Sequence, residues 1–344
     1  QDTVDFFDLG LVVVDEQHRF GVEQRDALRA KAEIPPHVLV MTATPIPRTV
    51  AMTVFGDLDV STLRELPAGR SPIATHVVPA GEKPRFLDRA WQRLREEVEK
   101  GHQAYVVCPR IGAASGEEEE PAVERGGLWL VPDVPEEPAT RPSAAVLETA
   151  AMLADGPLAG LRVEMLHGRM TPDAKDDVMR RFAAGEVDVL VATTVVEVGV
   201  DVPNASAMVI LDAERFGVSQ LHQLRGRVGR GRASGLCLLV TEAEAGSPSR
   251  ERLDAVASTL DGFALSRVDL TNRREGDVLG AAQSGRRSSL RLLSVLRDEE
   301  LIVAAREEAT RVVAADPYLF QQPALREAVK VLLHDERSDY LEKA

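Results

Sequence analysis

Short runs of aliphatic residues recur along the 344-residue chain, and stretches with helical periodicity separate most of them. An aliphatic run without polar alternation is typical of a parallel strand that is buried on both faces. Strands that alternate with helices predict an α/β fold built from doubly wound parallel sheets. The predicted strands are Leu11–Asp15, Val38–Thr42, Ala74–Val78, Ala104–Cys108, Leu161–Leu166, Asp188–Thr193, Ala207–Asp212 and Leu236–Thr241. The predicted helices among them are Val22–Ala32, Arg48–Phe55, Lys83–Lys100, Asp173–Ala184 and Ser219–Arg227.

A turn-rich segment and a change of pattern divide the chain into three predicted regions. The segment Pro67–Pro72 (Pro-Ala-Gly-Arg-Ser-Pro) is typical of a linker. It separates residues 1–66, the carboxyl-terminal part of a first lobe, from residues 67–245, a complete second lobe. Residues 246–344 form a predicted helical accessory region, because apolar residues there recur at helical spacing. Its predicted elements are the helices Arg252–Leu260, Ser289–Ala315 and Ala324–His334, with a loop at Asp269–Arg287.

Residues 112–142 interrupt the rhythm of the second lobe. They contain four successive glutamates and five prolines but few aliphatic residues. Such a composition cannot supply a core, so we expect a largely disordered surface insert. Residues 112–140 hold eight acids against Arg125 alone, which accounts for half of the chain's net charge of −14. The acidic total therefore does not argue against nucleic-acid binding, which depends on local basic patches.

Cysteine usage and hydropathy indicate the compartment. Cys108 and Cys237 lie far apart in predicted strands, and the chain has no Cys-x-x-Cys pair. This pattern predicts buried, reduced thiols and a cytoplasmic protein. No targeting signal is visible and no aliphatic run is long enough to span a bilayer, so we expect no membrane association.

The most basic stretch runs from Gln220 to Arg232 and holds arginines at positions 225, 227, 230 and 232 among glycines. Residues 216–241 contain no acid. A helix would bring Arg227 and Arg230 to one face, and the planar guanidinium suits multidentate contact with phosphate. The glycines would let a polyanion approach the backbone closely. A solvated basic helix end is the alternative interpretation.

Two carboxylates, Asp15 and Glu16, end the first predicted strand. The carboxyl ends of parallel strands form the crevice where open α/β sheets bind ligands. One carboxylate at such a place can hold Mg²⁺ through water, while its neighbour orients or deprotonates the attacking water in phosphoryl transfer. Acids that merely end a strand are the alternative.

Four segments together resemble motifs II, III, V and VI of superfamily 2 helicases, in the same order and at similar separations. They are Asp15-Glu-Gln-His18, Thr42-Ala-Thr-Pro-Ile-Pro-Arg-Thr49, Ala192-Thr-Thr-Val-Val-Glu-Val-Gly-Val-Asp201 and Gln223-Leu-Arg-Gly-Arg-Val-Gly-Arg230. Further along, Asp261-Gly-Phe263, Asp269-Leu270 and the segment 276–285 are similar to the translocation segment of the bacterial RecG family. The resemblance covers nearly the whole chain except residues 112–145.

The resemblance implies a nucleotide site for ATP with Mg²⁺. Asp15 would hold the metal, Glu16 would be the water-activating base, and Gln17 and His18 would sense the γ-phosphate. Arg227 and Arg230 would reach the γ-phosphate as arginine fingers positioned by Gln223. Gly199 and Asp201 would complete the nucleotide-binding set.

The resemblance also implies residues that couple the nucleotide to DNA. In the helicase motifs these are Thr42, Thr44, Thr193, Thr194 and Glu197, and in the accessory region Arg252, Arg273 and Gln283. The accessory match is imperfect. The family commonly has Arg-Gly-Pro-Gly where this chain has Arg273-Arg-Glu-Gly276, and often Thr-Arg where it has Ala281-Ala282.

The expected function is therefore that of a motor segment of an ATP-dependent DNA translocase. Family members remodel branched DNA, such as stalled forks and Holliday junctions, in repair and recombination. No G-x-x-x-x-G-K-[ST] phosphate-binding loop occurs in the sequence. We expect that loop and the DNA-gripping wedge domain to precede this segment in a longer, monomeric protein, so that this chain alone is inactive as an ATPase.

Two alternatives remain open at this stage. One is a transcription–repair coupling factor, which shares the Thr42–Thr49 pattern but typically has Asp-Glu-Glu-Gln where this chain has Asp15–His18. The other is a non-enzymatic module that binds DNA or a partner and never turns over ATP.

Overall fold

A computed structural model describes residues 9–15, 36–42, 61–63, 71–110, 144–194, 201–272 and 298–331. Residues 298–331 belong to one compact unit, and all the other described residues belong to a second. Among the helices described, none combines the length and the apolar character that a membrane span requires.

Two strands of the first predicted lobe are described. Strand β1 (Leu11–Val14) pairs in parallel with β2 (His37–Val40), and Leu11 lies opposite His37. Val12 and Val14 are buried, while Leu11 and Val13 are exposed. The predicted helices Val22–Ala32 and Arg48–Phe55 lie outside the described residues.

The other six strands form one parallel sheet. They are β3 (Ile73–Pro79), β4 (Gln103–Val107), β5 (Val163–Leu166), β6 (Val189–Ala192), β7 (Ala205–Ile210) and β8 (Gly235–Thr241). Their order across the sheet is β3-β8-β7-β4-β6-β5. Each predicted strand of the second lobe is present, and the parallel sheet flanked by helices confirms the predicted fold class.

Four helices accompany this sheet: α1 (Pro84–Glu99), α2 (Val146–Asp155), α3 (Pro172–Ala183) and α4 (Val218–Arg225). Three were predicted, and α2 was not. The predicted disordered insert at residues 112–142 lies outside the described residues.

The accessory region begins with α5 (Pro248–Ser258) and α6 (Gly262–Asn272), which belong to the same unit as the sheet. Helix α6 was not predicted, and the prediction of a loop from Asp269 is wrong for residues 269–272, which continue α6. The second unit contains α7 (Glu299–Ala315) and a further helical stretch at residues 323–331. The rest of the predicted loop, residues 273–287, lies outside the described part.

Two apolar layers cover the two faces of the six-stranded sheet. Helices α3, α4, α5 and α6 pack on one face, where Phe182, Leu221, Leu224, Val256 and Leu265 are buried. Helices α1 and α2 pack on the other face through residues that include Trp91, Leu94 and Leu153. The central strands β4, β6 and β7 are therefore buried on both sides, which is consistent with their largely apolar sequences.

Close packing fixes the segment that leads from α4 into β8. A Cβ atom on Gly231 would lie 2.3 Å from the carbonyl oxygen of Pro203, and Gly229 adopts a φ of +70°. At position 231 any side chain would displace backbone, and at position 229 the positive φ favours glycine. The segment is consequently held against the residues that precede β7.

We predict that Gly231→Ala destabilises the chain by about 1–3 kcal/mol, because the added methyl overpacks against backbone that cannot retreat cheaply. Gly168→Ala is the control, since nothing lies within 4 Å of a Cβ there. Urea unfolding of both variants measures the difference. Equal midpoints for the two variants would show that residues 229–231 can shift freely.

Candidate functional site

The arginine-rich stretch does not continue as a helix to Arg227, contrary to the sequence prediction. Helix α4 ends at Arg225, and the backbone N–H of its cap Gly226 donates to the carbonyls of His222 and Leu224. We call residues 226–230 the arginine turn. Val228 in this turn is fully buried, and the N–H of Gly229 donates to the carbonyl of Ala205 at 3.4 Å. The turn is thereby anchored at the amino end of β7.

Arg230 and Asp201 meet at this amino edge of the sheet. The Nη1 of Arg230 lies 3.3 Å from Oδ1 of Asp201, and its Nε donates to the carbonyl of Gly226 at 3.0 Å. The Arg230 side chain retains 30% of its exposure and that of Asp201 retains 57%. A half-exposed ion pair of this kind is weak and can exchange partners. The Arg230 guanidinium is therefore held by its Nε, while its Nη1 could exchange Asp201 for a phosphate.

Tyr105 lies close enough to the turn to sense its charges. Burial raises the pKa of Tyr105 to about 12, while the positive charges of Arg227 and Arg230 act in the opposite direction. The phenol thus stays protonated and adds no negative charge beside the two arginines. The local field at the turn favours an anion, which suits the polyphosphate of a nucleotide.

Gln223 is placed on the side of α4 that faces the accessory helices. It lines a small pocket with Val218, Ser219 and His222 of α4 and with Gly262, Leu265 and Ser266 of α6. Its predicted part in positioning the arginine fingers stays a prediction.

The opposite, carboxyl edge of the sheet carries polar groups that lack hydrogen-bond partners. Thr193 follows β6 and is 1% exposed, His167 follows β5, and Arg110 lies three residues beyond β4. Thr193 Oγ1, His167 Nδ1 and Arg110 Nε are buried without a partner among the described residues. Buried polar atoms without partners are rare and costly, so an external ligand at this edge would stabilise them.

Two cations lie near His167 at this edge. The pKa of His167 is lowered by burial and by the nearby cations Lys175 and Arg169. Lys175 donates to the carbonyl of Gly168 at 2.8 Å, which holds its ammonium over the loop between β5 and α3. Neutral donors and cations at one sheet edge are typical of contacts with a phosphate backbone. Thr194, the other predicted coupling residue here, is half-buried next to Thr193.

In the first-lobe sheet, Asp15 follows β1 and Thr42 lies two residues beyond β2, and both are exposed. No cluster of three or more metal-ligating side chains occurs within the described ranges. The remaining predicted site residues lie outside those ranges: Glu16, Gln17, His18, Thr44, Glu197, Gly199, Arg273 and Gln283.

Two arginines donate to backbone carbonyls: Arg252, a predicted coupling residue, and Arg225, which is not among the predicted site residues. Arg252 on α5 donates from Nη2 to the carbonyl of Glu214 at 2.6 Å. Arg225 is 2% exposed and donates to the carbonyls of Val256 and Thr259. Of the four arginines in the basic stretch, Arg225 is therefore buried and bound to backbone.

Sequence reasoning missed His167 and Arg110, although a signal for both was present. Each is a polar residue just beyond a predicted buried strand, which is the same rule that singled out Asp15 and Glu16. Gly168 and the Thr171-Pro172 start of α3 add a second signal, because a helix begins directly after the strand.

The chain is similar to known helicases. Residues 141–232 match the helicase conserved C-terminal domain, and residues 259–339 match domain 3, C-terminal, of the ATP-dependent DNA helicase RecG. The chain is 53% identical to an ATP-dependent DNA helicase RecG of Mycobacterium leprae, across 100% of this chain and 44% of the relative. Against the RecG of Bacillus subtilis it is 43% identical, across 92% of this chain and 42% of the relative. The chain thus spans less than half the length of these relatives.

A solved structure is similar as well. The structure of RecG bound to a three-way DNA junction matches with a TM-score of 0.58 and 35% identity. The match covers 88% of this chain and 34% of that chain.

We predict that Thr193→Val raises the free energy of unfolding by about 1 kcal/mol, because it removes a buried hydroxyl that has no hydrogen-bond partner among the described residues. The matched control is Thr149→Val, since Thr149 is also buried but hydrogen-bonds to Cys108. That control should cost about 1 kcal/mol. Chemical denaturation measures both, and a loss for Thr193→Val as large as the control's would reveal a partner for its hydroxyl.

Proposed function

We infer from these matches that the chain is a segment of a RecG-family helicase, and we propose that it is part of an ATP-driven motor that moves along branched DNA. The proposal rests on both the sequence similarity and the arrangement of the two sheet edges. The amino edge carries groups suited to a nucleotide, and the carboxyl edge carries groups suited to a nucleic-acid backbone.

One observation carries the proposal: a single crossover joins the two edges. Thr193 and Thr194 stand at the carboxyl edge, after β6. Asp201 stands at the amino edge, where Val202 accepts a hydrogen bond from Ala205 at the start of β7. A change at Asp201 therefore acts on the same short segment that presents the two threonines. Such a segment is suited to couple nucleotide state to the grip on DNA.

At the nucleotide edge, Arg227 and Arg230 would stabilise the charge that develops on the γ-phosphate during hydrolysis. Asp201 would release Arg230 when phosphate replaces its carboxylate. Gln223 would keep α4 and the arginine turn in register. Glu16, Gln17, His18 and Gly199 would complete the site from the segments that resemble helicase motifs.

Mg²⁺ fits the residues at the first-lobe sheet. Asp15 is an exposed carboxylate at the carboxyl end of β1. Mg²⁺ at phosphate sites usually takes one or two carboxylates and completes its shell with water and phosphate oxygens. The ion would supply charge neutralisation for the phosphates, and Asp15 would hold it in place.

At the DNA edge, Thr193, Thr194, His167 and Arg110 would contact phosphates of one strand. The relative of known structure was solved with a three-way DNA junction. We propose branched DNA as the substrate of the whole protein, with Thr42, Thr44, Glu197, Arg252, Arg273 and Gln283 coupling the lobes and the accessory helices to it. The three predicted regions, 1–66, 67–245 and 246–344, would act as parts of one cytoplasmic monomer.

We predict that this chain alone has no measurable ATPase activity, with or without DNA. Nothing in its sequence matches the glycine-rich loop and lysine that hold the β- and γ-phosphates. Phosphate release from the purified chain, with and without a forked duplex, measures this. Steady DNA-stimulated release would show that another segment replaces the loop.

In the full-length protein, Arg230→Ala should lower DNA-stimulated ATP hydrolysis by about a thousandfold or more, as expected when an arginine finger is lost. Gln283→Ala should leave hydrolysis within about threefold while fork unwinding fails, because its proposed role lies downstream of chemistry. Junction binding by both variants serves as the control and should change little.

Parallel ATPase and unwinding assays separate these roles. If Gln283→Ala lost hydrolysis as completely as Arg230→Ala, Gln283 would belong to the catalytic site.

A further inference from the structure

We propose that Arg225 is a positioning residue that joins the arginine turn to the accessory helices α5 and α6, so that they move as one body. It is the last residue of α4 and immediately precedes the turn. Its Nη1 donates to the carbonyls of Val256 at 2.7 Å and Thr259 at 2.8 Å, and its Nη2 lies 2.7 Å from Nδ1 of His222. This role rests on the proposed function.

The environment of Arg225 is unusual for a cation. It is the largest of the fully buried side chains, and no carboxylate pairs with it among the described residues. Burial lowers the pKa of its guanidinium. A buried charge persists only when its hydrogen bonds are satisfied. Because a guanidinium has donors alone, Nδ1 of His222 must accept, which places the histidine proton on Nε2.

The two carbonyl acceptors lie at one end of one helix. Val256 lies in the last turn of α5, and Thr259 is the residue that caps it. A helix leaves its final carbonyls without internal partners and carries partial negative charge there. Arg225 donates to these carbonyls, and they take the place of an acidic partner for its guanidinium. The bond therefore joins the end of α4 to the end of α5 with fixed geometry.

A second bond prevents α5 from pivoting about the first. Arg252 of α5 donates to the carbonyl of Glu214, which precedes α4, at 2.6 Å. Helix α5 is thus hydrogen-bonded both to the residues that precede α4 and to the last residue of α4. Leu265 of α6 is 2% exposed and lies in the same apolar layer as Leu224 and Val256. Any displacement of the arginine turn must therefore be shared by α5 and α6.

The first test uses this chain and hydrogen exchange, which needs no activity. Arg225→Lys keeps the charge, but an ammonium cannot bridge three acceptors in one plane. We expect amides in the last turn of α5 and in α6 to exchange faster by about tenfold, because local opening becomes easier. The matched control is Arg95→Lys, since Arg95 also donates to two backbone carbonyls, those of Pro157 and Ala159. Its effect should stay near those two residues.

The second test uses the full-length protein and compares ATP hydrolysis with fork unwinding. Arg225→Lys should keep DNA-stimulated hydrolysis within about threefold and lower the unwinding achieved per ATP by about tenfold. Should this variant fail to fold, His222→Leu is the milder change, because it removes one acceptor of the three. It should give a smaller loss of the same kind.

The outcomes distinguish this inference from the proposed function. A wild-type protein without DNA-stimulated ATPase would overturn the proposed function itself. An active wild type whose Arg225→Lys variant loses hydrolysis and unwinding in equal proportion would overturn only the coupling role. Unchanged exchange in α5 and α6 would overturn it as well, because the helices would then hold their place without Arg225.

Discussion

The direction of the strands governs the rest of this structure. In a parallel sheet every connection must cross back from the carboxyl edge to the amino edge before the next strand begins. All six strands of the main sheet run in parallel. The crossover after β6 therefore joins Thr193 at one edge to Asp201 at the other, and α4 carries the chain to the arginine turn. The two proposed sites at opposite edges are therefore joined by the chain itself.

The same constraint made much of the fold predictable from sequence. A strand buried on both faces needs a largely apolar sequence, and each of the eight described strands overlaps a predicted strand to within a few residues. The helices that were missed lacked a comparable signal. The predicted helix Arg252–Leu260 ends just before Asp261 and Gly262, yet the side chain of Asp261 accepts a hydrogen bond from the N–H of Phe263 at 2.8 Å and so begins α6. An Asp-Gly pair can follow the end of one helix or begin the next, and only the packing of α6 against α4 decides which.

The candidate site was predictable in parts. The rule that ligands lie beyond the carboxyl ends of parallel strands selects Thr193 and applies equally to His167 and Arg110. That their polar atoms have no hydrogen-bond partner within the described part of the chain depends on three-dimensional packing, which sequence does not reveal. Arg225 illustrates the limit most clearly, because its acceptors are backbone carbonyls, whose position leaves no trace in side-chain identity. A stretch of four arginines predicts positive charge, but not which of the four will be buried.

The arginines of this stretch differ in how easily they can change partners. Arg230 pairs with Asp201 at the surface, where solvent screens the attraction, so a phosphate can replace the carboxylate at little cost. Arg225 is buried, and breaking its bonds would leave a cation and two helix-end carbonyls unsatisfied, at the full cost of their desolvation. The exchangeable contact therefore faces the proposed nucleotide and the persistent one faces the accessory helices. The proposed motor function requires both kinds of contact. The Arg230–Asp201 pair must break when phosphate binds, whereas the hydrogen bonds of Arg225 must persist if they are to transmit the resulting movement to the accessory helices.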